Sequence, residues 1–139
     1  MRIYTYNNKA KIFYSHKHDF YERNDFMNRL TDFFKVLSDE TRLRILVLLY
    51  HKKLCVCEIC GITGEPQPKI SKHLAKLRDM GLVTDERQEQ FIFYNLNLNN
   101  IIHKEILNKI VDNADKYPKL KSDIEKCHNA EKFLETCRT

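Results

Sequence analysis

Residues 67–78 read Gln67-Pro68-Lys69-Ile70-Ser71-Lys72-His73-Leu74-Ala75-Lys76-Leu77-Arg78, and this stretch decides the fold. Pro68 follows the turn Glu65-Pro66-Gln67 and suits the first position of a helix, where an N–H has no partner to lose. The helix runs to about Met80 and is ended by Gly81. At about 100° per residue, Lys69, Lys72, His73 and Lys76 gather on one face, beside a buried stripe of Ile70, Leu74 and Leu77. The stretch holds four cations (Lys69, Lys72, Lys76, Arg78) and no acid. A Lys-rich helix face alone is ordinarily a solvated one. With a turn before it and a hairpin after it, the same face is what a helix in a DNA major groove requires.

The hairpin is predicted from alternation over 82–87 and 90–96. Its tip, Arg87-Gln88-Glu89-Gln90, has no Gly, which disfavours a two-residue primed turn and predicts a longer or distorted tip. Glu89 would repel phosphate, and Arg87 is the candidate minor-groove or backbone contact. Upstream, Phe26, Leu30, Phe33, Phe34 and Leu37 keep helical spacing. Ser38 and Asp39 offer N-caps for a second helix carrying Leu43, Ile45, Leu46, Leu48 and Leu49. A third short helix is expected over 55–60, stopping near Gly61. Downstream, Ile101, Ile102, Ile106, Ile110 and Val111 form another stripe, broken by Pro118, and a last helix is expected over 120–137.

The fold class is therefore mainly α with a β-hairpin: a winged helix-turn-helix. The stripes at 26–37 and 101–114 carry more large apolar residues than a small monomer needs. They predict a homodimer through terminal dimerisation helices, with the two reading helices about 34 Å apart, one DNA turn. Three segments are expected: an N-terminal extension at 1–26, the winged domain with its dimerisation helices at 27–117, and a helical tail at 118–139. Residues 1–26 hold seven of the fifteen aromatic residues and no cysteine. They read either as a packed extension, with two short strands at 2–6 and 10–14, or as an over-long start ahead of Met27.

With 42% hydrophobic and 31% charged residues, the 139-residue chain has the composition of one folded domain. No apolar run is long enough to span a membrane and residues 1–14 lack an apolar signal core, so a cytoplasmic protein is expected. The net charge of +5 is compatible with a nucleic-acid partner. No Gly-rich phosphate loop and no plausible carboxylate pair suggest catalysis, so an enzyme is not expected.

Three of the five cysteines fall in Cys55-Val56-Cys57-Glu58-Ile59-Cys60. Neighbours so close make a poor disulfide framework, but they can share one soft ion. Placed after His51-Lys52-Lys53 at a helix N-terminus, they are expected to have lowered pKa values. Cys57 and Cys60 lie about 60° apart on a helix and share a face, whereas Cys55 lies about 160° from Cys57. Either Cys55 precedes the first helical turn or ion binding unwinds that turn. A thiol-redox regulator with a Cys57–Cys60 disulfide is the competing reading of the box.

Three motifs then carry a family resemblance. Residues 34–46, from Phe34-Lys35-Val36-Leu37-Ser38-Asp39-Glu40-Thr41-Arg42 to Leu43-Arg44-Ile45-Leu46, resemble the opening signature of the ArsR/SmtB family of metal-responsive repressors. Leu54-Cys55-Val56-Cys57-Glu58-Ile59-Cys60 is similar to the metal box of the arsenical-resistance branch, and residues 67–74 to its recognition helix. The resemblance covers about residues 27–117. It implies a dimeric repressor on double-stranded operator DNA, released when As(III) or Sb(III) binds the sulfurs of Cys55, Cys57 and Cys60. It carries DNA contact onto Gln67, Lys69, Ser71, Lys72 and His73, with Ser71 and Lys72 nearest base edges and Lys76 on phosphate. Cd(II), Pb(II) or Zn(II) would want a fourth ligand, for which His16, His18, Cys127 and Cys137 are candidates. Of these, Cys127 falls on a stripe with Leu120, Ile124 and Leu134 and reads as core, and Cys137, near the chain end, reads as a free thiol. The separate zinc site that some family members carry on the C-terminal helix is not expected, since His103 has no His one face further along.

Overall fold

The computed structural model describes residues 27–138, so the strands expected at 2–6 and 10–14, together with His16 and His18, lie outside the described residues. Two compact units divide the chain between Phe34 and Lys35. The first described helix, α1, covers residues 27–37. Then follow α2 (Glu40–His51), β1 (Leu54–Cys55), α3 (Val56–Thr63), α4 (Gln67–Asp79), β2 (Val83–Gln88), β3 (Phe91–Leu96), α5 (Ile101–Asp112), a 3-10 turn (Ala114–Lys116), α6 (Pro118–Cys127) and α7 (Lys132–Arg138). No described helix is long and apolar enough to cross a membrane. Three helices, α2 to α4, followed by an antiparallel hairpin are the predicted winged helix-turn-helix.

Asp39 starts α2 by accepting the Arg42 N–H at 3.0 Å, while Ser38 turns back and donates to the Lys35 carbonyl. Ile45 to Leu49 are all buried, so α2 is the central rod on which α3, α4, α5 and α6 pack. The helix α4 has the expected buried stripe of Ile70, Leu74 and Leu77, with Pro68 in its first turn and Gly81 in the left-handed region just past its end.

Three local features differ from the sequence reading. First, α3 begins at Val56, with Cys55 as its N-cap, and continues through Gly61 to a left-handed Gly64. Gly61 does not stop the helix; its lack of a side chain makes room for the Phe133 ring, which a Cβ there would overlap. Second, Leu54 and Cys55 form a two-residue strand paired with Tyr94 and Phe93, giving a three-stranded sheet of order β1-β3-β2. Third, the last helix is two. A turn through His128–Glu131 separates α6 from α7, with no Gly or Pro to announce it, and buried Ala130 sits at the corner.

One buried charge pair docks the tail on α2. Arg44 of α2 is 6% exposed and Asp123 of α6 is 2% exposed. Arg44 Nε donates to Asp123 Oδ2 at 2.7 Å and Nη2 to Oδ1 at 2.9 Å, the bidentate fork that suits a guanidinium. Nη2 also donates to the Thr63 carbonyl at the end of α3, at 3.0 Å. The carboxylate beside it holds the Arg44 pKa above its ordinary value. Asp123→Ala strands a buried guanidinium and is expected to cost about 3–5 kcal/mol. Urea unfolding measures this, and a variant as stable as wild type would show that the pair is not buried in solution.

Candidate thiol pocket and reading helix

Cys55 is 1% exposed, fixed in β1 against Phe93, and its N–H donates to the Glu58 carboxylate at 3.0 Å. It therefore precedes the first turn of α3, one of the two arrangements the helical geometry left open. Burial pushes its thiol up to about 11, and burial also raises Cys60. The expected lowering does not occur at Cys55 or Cys60, where burial dominates, and the two lysines before the box pair with carboxylates instead. Lys52 Nζ pairs with Glu131 at 2.8 Å and Lys53 Nζ with Glu86 at 2.7 Å, Lys53 also lying over the Phe93 ring.

Cys57 and Cys60 share the opposite face and open onto a cavity of about 310 Å³. Gly61, Phe133 and Cys137 also line it, as does Gln67, the first residue of α4. Cys57 is disulfide-bonded to Cys137, with Cα atoms 6.4 Å apart. This corrects two readings: Cys137 is not a free thiol, and the disulfide partner of Cys57 is not Cys60. Cys60 is free at the pocket wall, and Cys127 is free and buried with the core, as its stripe implied. In this disulfide-bonded form, no group of three His, Cys, Asp or Glu side chains among the described residues is placed to hold a metal ion.

On α4, Gln67, Lys69, Lys72 and Lys76 are exposed, while Ser71 and His73 are half-buried. Lys69 Nζ pairs with Glu65 at 3.0 Å, one turn back. No salt bridge holds Lys72 or Lys76 among the described residues, so both ammonium groups are open to solvent. His73 Nε2 lies 3.9 Å from Asp39, burial lowers its pKa, and the ring seats α4 against the start of α2. Arg78 is tied to Asp85 of β2 at 3.1 Å, which joins the reading helix to the wing. Arg87 is exposed on β2 and donates from Nε to the Glu89 carbonyl at 3.3 Å.

Gln88 pairs with Phe91, so the tip is a two-residue loop after all. It closes with Glu89 at φ 56°, in the left-handed region at the first loop position, where such turns favour Gly.

These elements define a winged helix-turn-helix protein with a thiol-lined pocket behind its reading helix. The family described as "Bacterial regulatory protein, arsR family" matches residues 39–85. The arsenic resistance transcriptional regulator ArsR2 of Pseudomonas putida is 51% identical over 67 residues, which cover 48% of this chain and 58% of that relative. The chain thus spans little more than half of that relative. The arsenical resistance operon repressor of Bacillus subtilis is 32% identical over 88 residues, covering 60% of this chain and 84% of the relative. The solved structure of reduced HlyU from Vibrio cholerae superposes with TM-score 0.58 at 29% identity, covering 64% of this chain and 92% of that one. The chain belongs to the ArsR family of bacterial regulatory proteins.

The wing tip generates a test. Glu89→Gly relieves a left-handed side chain and is expected to stabilise the fold by about 1 kcal/mol, after offsetting the extra freedom of Gly in the unfolded chain. It also removes an anion from the tip of the wing. Thermal unfolding and binding to random duplex DNA should both rise, and a fall in either would contradict the strained turn or the DNA-facing wing.

Proposed function

We propose that this chain is a homodimeric DNA-binding repressor that leaves its operator when a soft trivalent ion, As(III) or Sb(III), binds the thiolates of the 55–60 box. The observation that carries the reading is the cavity shared by Cys57, Cys60 and Gln67: whatever occupies it presses on the first residue of the reading helix. Ligand and DNA then compete for the geometry of one short segment, which is all that reciprocal coupling needs. Soft sulfur donors favour a thiophilic ion over hard cations. Cys57 and Cys60 supply two sulfurs. The third is Cys55, which must first leave β1, or a thiol from outside the box.

Gln67, Lys69, Ser71 and Lys72 occupy the groove-facing turns of α4, with Lys72 at base edges and Lys76 on phosphate. Arg87 reaches the backbone from the wing, and His73 acts by orienting α4. Dimerisation uses the outer face of α5. Its inner face buries His103 and Leu107, which leaves Ile101 62% and Ile102 48% exposed. Met27 and Phe34 of α1 are exposed as well.

The test selects a duplex from a random pool with the reduced full-length chain and follows the complex by gel shift. Lys72→Ala is expected to cost about 1–3 kcal/mol on the selected duplex. Lys76→Ala is expected to weaken selected and random DNA alike and to reduce the salt slope by about one. Cys57→Ser should bind DNA like wild type yet resist release by arsenite, because serine is a poor ligand for a soft ion. A wild-type complex that selects no sequence, or that arsenite leaves intact, would overturn the reading.

A further inference from the structure

We propose that Cys57 and Cys137 are a reversible oxidation site that controls the inducer response: joined, they leave the reading helix able to hold DNA but deprive the 55–60 box of a thiolate. The proposal rests on reading that box as the site of a thiophilic ion, and it adds a regulator of the same site. The described form is the joined one, with the two Cα atoms 6.4 Å apart. In it α4 is a continuous helix from Gln67 to Asp79, and Lys72 and Lys76 are exposed. The bond therefore leaves the reading helix undisturbed. What it takes away is the Cys57 thiolate, and in this form no group of three His, Cys, Asp or Glu side chains among the described residues is placed to hold an ion. Oxidation blinds the protein to its inducer without releasing DNA.

Two features make the bond a switch. First, α3 and α7 meet without it. The Phe133 ring fills the place of the missing Cβ of Gly61, buried Ala130 sits at the corner before α7, and Lys52 Nζ pairs with Glu131 at 2.8 Å. Cys57 and Gly61 are four residues apart on α3, as Phe133 and Cys137 are on α7, so the ring contact sets the two sulfurs against each other one turn away. Thiols held in register close and reopen as an intramolecular step. Second, Cys137 is exposed and Cys57 half-buried, so small oxidants and reductants reach the bond, and exposed disulfides are the labile ones. The oxidant is a hydroperoxide. With hydrogen peroxide, the Cys137 thiol becomes a sulfenic acid and one water leaves; the Cys57 sulfur then displaces the hydroxyl, which departs with the Cys57 proton as a second water. The two sulfurs lose two electrons and the peroxide gains them. A small dithiol reverses the step: the S–S bond breaks, two S–H bonds form, and the dithiol leaves as its cyclic disulfide.

The experiment compares the full-length chain in two states, reduced with a phosphine or oxidised with equimolar hydrogen peroxide, each reagent being removed before use. Peptide mass spectrometry identifies the joined cysteines, and gel shift on the selected duplex follows release by arsenite. Oxidised wild type should contain the Cys57–Cys137 peptide pair and bind the duplex as tightly as the reduced chain. Loss of even an outer partner of a metal ligand costs about 10–100-fold, so the oxidised complex is expected to need at least about a hundred times more arsenite for release. Renewed phosphine treatment should restore the response. Cys137→Ser, which leaves all three box cysteines in place, should be released by arsenite both before and after peroxide. Equal release of oxidised and reduced wild type, loss of DNA binding on oxidation, or a different cysteine pair in the peptides overturns the switch while leaving the inducer reading intact. So does a Cys137→Ser chain that peroxide silences as fully as wild type, or that ignores arsenite when reduced. Reduced wild type that arsenite never releases overturns the inducer reading and the switch with it.

Discussion

The architecture turns on the buried fork between Arg44 and Asp123. A guanidinium and a carboxylate removed from water repay their desolvation only with good geometry and with their remaining hydrogen-bonding groups satisfied. Here two charge-assisted bonds and a third to the Thr63 carbonyl do this. One side chain thereby fixes three things: the central rod α2, the first tail helix α6 and the corner between α3 and α4. With α6 fixed, the turn at His128–Glu131 sends α7 back over α3, and the thiol pocket exists because of that return.

Much of this was legible in the chain, and the reasons are local. Pro68, Gly81 and the Ile70-Leu74-Leu77 stripe give α4 its start, stop and inner face, and Asp39 gives α2 its cap. The unpredicted parts are set by tertiary contact. A two-residue strand such as Leu54–Cys55 has no period to detect and exists because β3 lies alongside it. Gly61 reads as a helix stop until Phe133 is seen to occupy its missing side chain. The break between α6 and α7 carries no Gly or Pro and follows from where Phe133 and Cys137 must dock.

The pocket was half legible. Three cysteines in six residues single out the box, and the helical angles already set Cys55 apart from the other two. The electrostatics misled: Lys52 and Lys53 stand next to the box in sequence, but their ammonium groups lie on Glu131 and Glu86, so burial governs the free thiols. Cys137 was singled out only as a candidate extra ligand or a free thiol, and its pairing with Cys57, 80 residues away, follows from the docking of α7 on α3.

That separation has a topological consequence. The Cys57–Cys137 bond closes a covalent ring that contains α4, the wing, α5 and α6, and leaves α1 and α2 outside it. By chain entropy, such a ring removes about 4–5 kcal/mol of disorder from the unfolded chain. A single peptide cut anywhere inside it leaves one molecule held together through sulfur. The same cut in the thiol form yields two separate polypeptides, so the segment carrying α4 and the wing is tied to α1 and α2 by backbone alone or by backbone and sulfur together.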